Sequence, residues 1–231
     1  GNKNPKDGCT DCKVDAGYKC DSYGEAPNPV FLKTTFRDFW PAKNHNSPQA
    51  GESPDFQWNA NTGVAERGAV GALCNSQNYA TCGKLDDDGK PALLSAGTES
   101  ITSKATYATW YRDTPGTNLS FNRSLKLDRQ PNGSYLFESD HFFPLDGLGF
   151  GNYTTLCEGV MHNFHFTTEL RYFFQYGGGE KLDFAGDDDV WVFVNGKLAV
   201  DLGGTHGPQP GSVPIGDTES NGEIGRASCR E

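Results

Sequence analysis

The sequence predicts an all-β fold: an antiparallel sandwich or barrel-like arrangement with long loops and one short helix. Three observations carry this. Several segments alternate apolar and polar residues at period two. Gly, Asn, Asp and Pro punctuate the spaces between them. One pair of apolar runs is joined by Asn195-Gly196, a two-residue hairpin signal because both positions tolerate positive φ.

The elements follow in chain order. Residues 1–24 hold Gly, Asp, Lys and Cys with almost no core material, and form a Cys-rich segment of their own. Ala26-Pro27-Asn28-Pro29 then breaks the chain, since proline resists helix and sheet interiors. Phe31, Phe36, Phe39 and Trp40 predict an opening strand and a buried turn. Residues 41–100 are rich in loop-forming types. The segment SKATYATWYR (residues 103–112) predicts the one helix: Thr102 or Ser103 can cap it, and Tyr107, Trp110 and Tyr111 fall at i, i+3 and i+4. DTPGT (113–117) ends it. Leu119, Phe121, Leu125 and Leu127 predict a strand leading to the turn Pro131-Asn132-Gly133, with Tyr135 and Phe137 returning.

Phe164, Phe166, Thr168, Leu170, Tyr172 and Phe174 share one face of a predicted strand, the apolar one. His165, Thr167, Glu169, Arg171 and Gln175 take the other, with Phe173 the exception. Gly177-Gly178-Gly179 follows. VWVFV (190–194) is apolar on both faces and predicts a central strand. Leu198, Val200 and Leu202 return after the Asn-Gly turn.

Composition limits the function. Acidic residues outnumber basic ones 30 to 20, a net charge of −10, which argues against nucleic-acid binding because phosphates require a basic face. Leu, Ile, Val and Phe make up only about a fifth of the 231 residues, a level that hints at disorder, but 15 Phe, 9 Tyr and 4 Trp argue for a packed core. No apolar run approaches the ~20 residues of a membrane-spanning helix.

Seven cysteines are present: Cys9, Cys12, Cys20, Cys74, Cys82, Cys157 and Cys229. The last nine residues, EIGRASCRE (223–231), continue no upstream pattern and resemble translated sequencing-adapter read-through. Without Cys229 the count is even, as expected of disulfides in an oxidising, extracellular compartment. The favoured pair is Cys74 with Cys82, closing a short loop. Cys9-x2-Cys12 is half of a zinc motif with no second half, so a small disulfide-stapled module is the better reading. Four sequons, at Asn118, Asn122, Asn132 and Asn152, point the same way. Together they predict a secreted glycoprotein.

Asp187, Asp188 and Asp189 are the chief candidates for chemistry. Three adjacent carboxylates repel one another, by at most about 4 kcal/mol per pair at ~4 Å and an effective dielectric near 20. Beside a dry strand this invites a cation, and Ca²⁺ suits carboxylates in irregular loops. The tripeptide recurs at Asp86, Asp87 and Asp88, followed by Gly-Lys-Pro and no apolar strand. That copy reads as a solvated turn, and it lacks the ligand spacing of an EF-hand.

The segment GDDDVWVFVNGKLAVDLGGTHG (186–207) resembles the signature of the fibro-slime domain, a branch of the PA14-like β-sandwich superfamily. TTFRDFW (34–40), SPDFQW (53–58), DDGKPAL (87–93), ITSKATYATWYRDTPGTNLSF (101–121), NGSYLFESDHFFPLDGLGFG (132–151) and HNFHFTTEL (162–170) extend the resemblance in order along residues 30–213. It implies one domain over residues 25–222, lacking the C-terminal strands that family members carry beyond Val213. It also implies a secreted adhesion or matrix role. In PA14-like lectins two adjacent aspartates joined by a cis peptide hold calcium, and calcium holds two sugar hydroxyls. Carried over, the pair is Asp187 and Asp188, with Asp189 a third ligand, Trp191 an aromatic that could stack on the sugar if it points outward, and His206 a nearby second-rank residue. The partners implied are glycans or cell-surface polysaccharide, with self-association into extracellular assemblies as a structural alternative. An accessory carbohydrate-binding module of a polysaccharide-degrading enzyme is another.

Catalytic readings find little support. His141, His162 and His165 are scattered, and Glu138, Asp140 and Asp146 read as surface carboxylates rather than a glycosidase pair. There is no G-x-S-x-G, P-loop or dinucleotide fingerprint. The expectation is a non-enzymatic module.

Overall fold

The structure, a computed structural model, describes residues 29–43, 48–57, 66–75, 77–152, 154–157, 160–174 and 177–215, together with the backbone of two short strands at 9–10 and 13–14. Cys12, Cys20, Cys229 and the tail 223–231 lie outside the described residues, as do the side chains of Cys9 and Cys157. The strands are β1 (Cys9–Thr10), β2 (Lys13–Val14), β3 (Val30–Phe39), β4 (Pro41–Ala42), β5 (Ser53–Gln57), β6 (Asn118–Arg129), β7 (Tyr135–Leu136), β8 (Thr154–Cys157), β9 (Val160–His162), β10 (Phe166–Leu170), β11 (Lys181–Gly186), β12 (Val190–Val194), β13 (Lys197–Leu202) and β14 (Gln209–Pro214). The one helix among the described residues, α1 (Lys104–Ala108), lies between β5 and β6. The fold is all-β, as predicted.

The largest sheet has the order β10-β3-β6-β7, and β3 pairs with β6 over its whole length, from Val30 opposite Leu127 to Phe39 opposite Asn118. The turn to β7 forms where Pro131-Asn132-Gly133 predicts it, with Gly133 at φ 87°. β11 pairs with β14, and β12 with β13 through the Asn195-Gly196 turn. Asn195 at φ 49° and Gly196 at φ 76° have the left-handed backbone that a type I′ turn needs. All these pairings are antiparallel; among the described residues only β4 with β5 is parallel.

Aromatic rings join the large sheet to the β12–β13 hairpin. Phe39 on β3 stacks on Phe56 at 4.3 Å, Phe56 meets Trp110 at 5.3 Å, Trp110 meets Tyr107 at 5.0 Å, and Tyr107 meets Trp191 on β12 edge-on at 5.9 Å. Such pairs contribute about 0.5–1.5 kcal/mol each beyond simple burial. Val70, Leu93, Ile101 and Leu198 pack around them. On the opposite face of the hairpin, Val200, Leu202 and Val213 gather Phe184, Val190 and Val192. Cys74 and Cys82 form the predicted disulfide and close the loop that lies against Leu198.

Three elements differ from expectation. The helix is five residues long, not ten. Ser103 caps it through a reciprocal box with Thr106: Thr106 N–H donates to Ser103 Oγ and Ser103 N–H to Thr106 Oγ1, both at 3.1 Å. Its end is fixed by Asn118, whose amide donates to the carbonyls of Thr109 and Arg112 at 2.8 Å each.

The alternating strand is shortened to β10 and its faces are inverted. His165 and Thr167 are buried, whereas Phe164, Leu170 and Tyr172 are exposed. The polar face turns inward because it has partners there. Thr167 Oγ1 donates to Trp110 O, and Glu169 receives buried Arg37 at 2.9 Å, Lys90 at 2.7 Å and Arg171 at 2.9 Å. Burial works against the Glu169 charge, but these cations outweigh it and hold the carboxyl below its ordinary range.

β12 is packed on both faces yet hydrogen-bonds to β13 alone among the described residues, so it is not a central strand. Apolar residues on both faces report layers above and below, not lateral partners.

Candidate functional site

Asp187, Asp188 and Asp189 form the turn from β11 into β12. Asp188 and Asp189 have φ of 32° and 52°, a left-handed backbone that short polar side chains tolerate better than most non-glycine residues. The chain after β13 holds them there: Gly204 N–H donates to Asp189 Oδ1 at 2.5 Å, and His206 N–H to Asp188 Oδ1 at 2.6 Å. Asp187 is exposed, with no hydrogen bond or ion pair among the described residues.

The turn therefore splits the triplet. Asp187 and Asp188 form an outer lip, while Asp189 points toward the core. Burial pushes the Asp189 carboxyl up to about 6 against the pull of the Gly204 amide, and the charges of Glu66 and Asp188 add to the rise. Asp188 is also raised, first by burial and then by Asp187, with the His206 amide opposing. No Lys or Arg pairs with any of the three among the described residues.

His206 supplies the nearest positive charge. Its Nδ1 faces Gly207 O at 2.8 Å and its Nε2 faces Leu202 O at 3.0 Å. A ring whose two nitrogens both face carbonyls must donate from both, which is the imidazolium form. Burial disfavours that charge, but the two carbonyls and the charges of Asp188 and Asp189 outweigh it and raise the His206 pKa. With both nitrogens engaged, His206 braces the turn and offers no ring donor to a sugar.

Trp191 is half-buried. Its Nε1 donates to Asp201 Oδ1 at 2.9 Å, and its ring packs edge-on against Tyr107. It belongs to the core beneath the turn, because the strand alternation that exposes Val190 and Val192 to one layer delivers Trp191 to the other.

Asp201, Glu66 and the Tyr107 hydroxyl complete the inner side. Asp201 accepts from Gly68 N–H at 2.5 Å, Trp191 Nε1 at 2.9 Å and Gly203 N–H at 3.1 Å. Glu66 is 4% exposed and its Oε1 accepts from Ser100 N–H at 2.7 Å. Close approach fixes Gly203: a Cβ there would lie 3.0 Å from both Glu66 O and the Trp191 ring. None of these acids was singled out from sequence. Asp201 leaves a trace, a lone carboxylate in the apolar alternation of β13; Glu66, in an irregular loop, leaves none.

In the other aspartate triplet Asp86 and Asp88 have partners, while Asp87 is exposed with none among the described residues. Asp86 Oδ1 accepts from the backbone of Lys90 at 2.8 Å and of Asp88 at 3.1 Å, and Arg112 Nη2 reaches Asp86 at 2.5 Å and Asp88 at 3.2 Å. Burial opposes the Asp86 charge, but the Lys90 amide and Arg112 outweigh it and lower its pKa. Among the described residues no three His, Cys, Asp or Glu side chains come together as a metal-binding group.

The sequons divide as well. Asn118 is buried and both its amide hydrogens are used on the helix end, so it is a structural amide and not a place for a glycan. Asn152 donates its amide to Met161 O at 2.8 Å and accepts from Gly147 N–H. Asn122 and Asn132 are exposed, and their amide nitrogens make no hydrogen bond among the described residues. Asp146 binds His162 Nδ1 at 2.5 Å and the Asn163 amide at 2.8 Å, a structural assignment. No helix among the described residues is long and apolar enough to cross a membrane.

The chain is similar to several proteins of Dictyostelium discoideum. It is 33% identical to protein psiQ over 198 residues, which is 81% of this chain and 18% of that protein. Protein psiD is 38% identical over 120 residues, 51% of this chain and 24% of that protein, and protein psiR 32% identical over 204 residues, 83% and 18%. The chain thus spans about a fifth of the length of these relatives. No family model matches it, and no solved structure does.

Proposed function

We propose that this chain is an extracellular, non-enzymatic adhesion module that binds glycans through a calcium ion at the Asp187–Asp188 lip. One observation carries the reading: two adjacent carboxylates stand at the surface with no Lys or Arg partner among the described residues, three of their four oxygens unengaged by the hydrogen bonds that hold the turn. The donor set fits a hard oxygen-seeking cation held on one side only. Calcium takes six to eight oxygens, so a two-carboxylate lip leaves coordination for hydroxyls of a sugar. Asp187 and Asp188 would hold it, and His206 keeps Asp188 in place through its backbone N–H. The resemblance to fibro-slime and PA14-like domains supports the same site.

Calorimetry against a glycan panel tests this. Binding should require calcium, vanish with chelator and vanish in Asp188→Ala. No heat with any glycan in saturating calcium would refute it.

The second reading is a structural module of a matrix, sheath or filament. Exposed apolar side chains favour it, Phe173 at 89%, Phe31 at 61% and Tyr172 at 56% among them. Concentration-dependent assembly without sugar, weakened by Phe173→Ser, would support that role.

A further inference from the structure

The fold treats its sequons differently. N-linked transfer joins an asparagine Nδ2 to C1 of the first sugar of a lipid-linked oligosaccharide. The C1–O bond to the lipid diphosphate breaks, the lipid diphosphate leaves, and the amide gives up one of its two hydrogens. A folded protein carries the sugar only where that hydrogen is spare and Nδ2 reaches solvent. Asn132 meets both conditions. It is exposed in the turn between β6 and β7, flanked by exposed Pro131 and Gly133. The backbone closes this turn without Nδ2: Gln130 N–H donates to Ser134 O at 2.8 Å, and Gly133 N–H to Gln130 O at 2.9 Å. Asn132 Oδ1 accepts from Ser134 N–H at 3.0 Å and from Ser134 Oγ at 2.8 Å. The amide is thus held by its oxygen, and Nδ2 has no partner among the described residues.

Asn122 meets the same conditions from within a strand. It stands on β6 opposite Thr35, whose Oγ1 donates to its Oδ1 at 2.9 Å, and its Nδ2 is again unengaged among the described residues. Residues directly opposite share a face, so Asn122 stands with Lys33, Thr35 and Ser124, while Leu32, Phe36, Phe121 and Leu125 take the other side. A sugar on Asn122 therefore covers polar surface. Asn118, at the start of the same strand, is the opposite case. It is 6% exposed, its Oδ1 accepts from Thr114 N–H at 3.0 Å, and both its amide hydrogens are spent on Thr109 O and Arg112 O. Transfer to this Nδ2 would remove one of those bonds and force a sugar into the end of α1. Asn152 falls between the two: it is half-buried and spends one hydrogen on Met161 O.

We propose that Asn122 and Asn132 are N-glycosylation sites of this chain and that Asn118, though it heads an intact sequon, stays bare in the folded protein. All three sequons have the same form: Asn118-Leu-Ser120, Asn122-Arg-Ser124 and Asn132-Gly-Ser134. What separates them is whether the amide is already engaged in holding the fold. A chain modified at Asn118 cannot close the helix end, so the folded population is the one left bare there. Both sites rest on the extracellular reading, because the lipid-linked donor acts in the lumen of the secretory pathway. The sugars the chain carries are distinct from any it binds at the aspartate lip.

The test is to express the chain behind an added signal peptide in a eukaryotic secretory host and recover it from the medium. Peptide N-glycosidase in heavy-oxygen water then turns each glycan-bearing asparagine into a labelled aspartate. Peptide mass spectrometry should find the label at Asn122 and Asn132 and unmodified asparagine at Asn118. On a gel, Asn122→Gln and Asn132→Gln should each remove the mass of one glycan. Ser120→Ala destroys the Asn118 sequon but leaves the Asn118 amide in place, and should not change the mobility. Label at Asn118 in the secreted protein, its absence from Asn122 or from Asn132, or a loss of glycan mass in Ser120→Ala would overturn the assignment. The added signal peptide separates this result from localisation. A native protein recovered without glycan from the cells that make it, beside a secreted one labelled at both sites, refutes the extracellular reading alone.

Discussion

The same three aspartates occur twice in this chain with opposite surroundings. At residues 86–88 the Asp86 carboxylate curls back on its own backbone, Asp86 and Asp88 meet Arg112, and the Asp86 pKa is lowered. At residues 187–189 the turn is held by amides from across a loop, no Lys or Arg reaches it among the described residues, and Asp188 and Asp189 are raised. Three aspartates in a row are not a site in themselves. What differs is what folds against them: a helix-end arginine in one case, an aromatic core and buried acids in the other.

The largest expected effect tests whether the second triplet sits on the core. Trp191→Ala should destabilise the protein by roughly 3–5 kcal/mol, read by urea unfolding. A loss under about 0.5 kcal/mol, as for a surface residue, would return Trp191 to the role of a sugar platform.

Next comes the pH dependence of the metal-free protein. Because the folded Asp189 titrates near 6 and the unfolded one near 3.8, the folded state binds the extra proton between those values. Its contribution is fully present below about pH 4 and lost as pH rises through 6, by about 3 kcal/mol. Asp86 has the opposite sign, since its lowered pKa gives stability present above its ordinary value and lost on acidification. Asp189→Asn should remove the fall between pH 4 and 6. A fall that persists in that variant belongs to another group.

The smallest effect concerns the first triplet. Arg112→Ala should destabilise by about 1 kcal/mol or less, and less still in high salt, because the pair is partly exposed. An effect as large as that of Trp191→Ala would erase the contrast between the two regions.

Much of the β architecture is legible in the sequence because it follows from local rules. Asn195-Gly196 fixes a hairpin, Ser103 caps a helix, and the spacing of Tyr107 and Trp110 places both in the core. The failures are tertiary. Nothing local tells that the polar face of β10 meets Arg37 and Lys90, so alternation chose the wrong face. Nothing at the Asn118 sequon reveals that its amide closes the helix end. The aspartate turn was visible as a charge anomaly, but the inward direction of Asp189 and the presence of Glu66 depend on a loop more than a hundred residues earlier in the chain.

Thermal melting with and without millimolar calcium, in two triple variants, separates the regions most directly. Asp86, Asp87 and Asp88 replaced by asparagine should keep the full calcium-dependent rise in Tm, and the same change at Asp187, Asp188 and Asp189 should abolish it. A wild type that calcium does not stabilise, or a rise that survives the second set, would contradict the assignment of a cation to that turn.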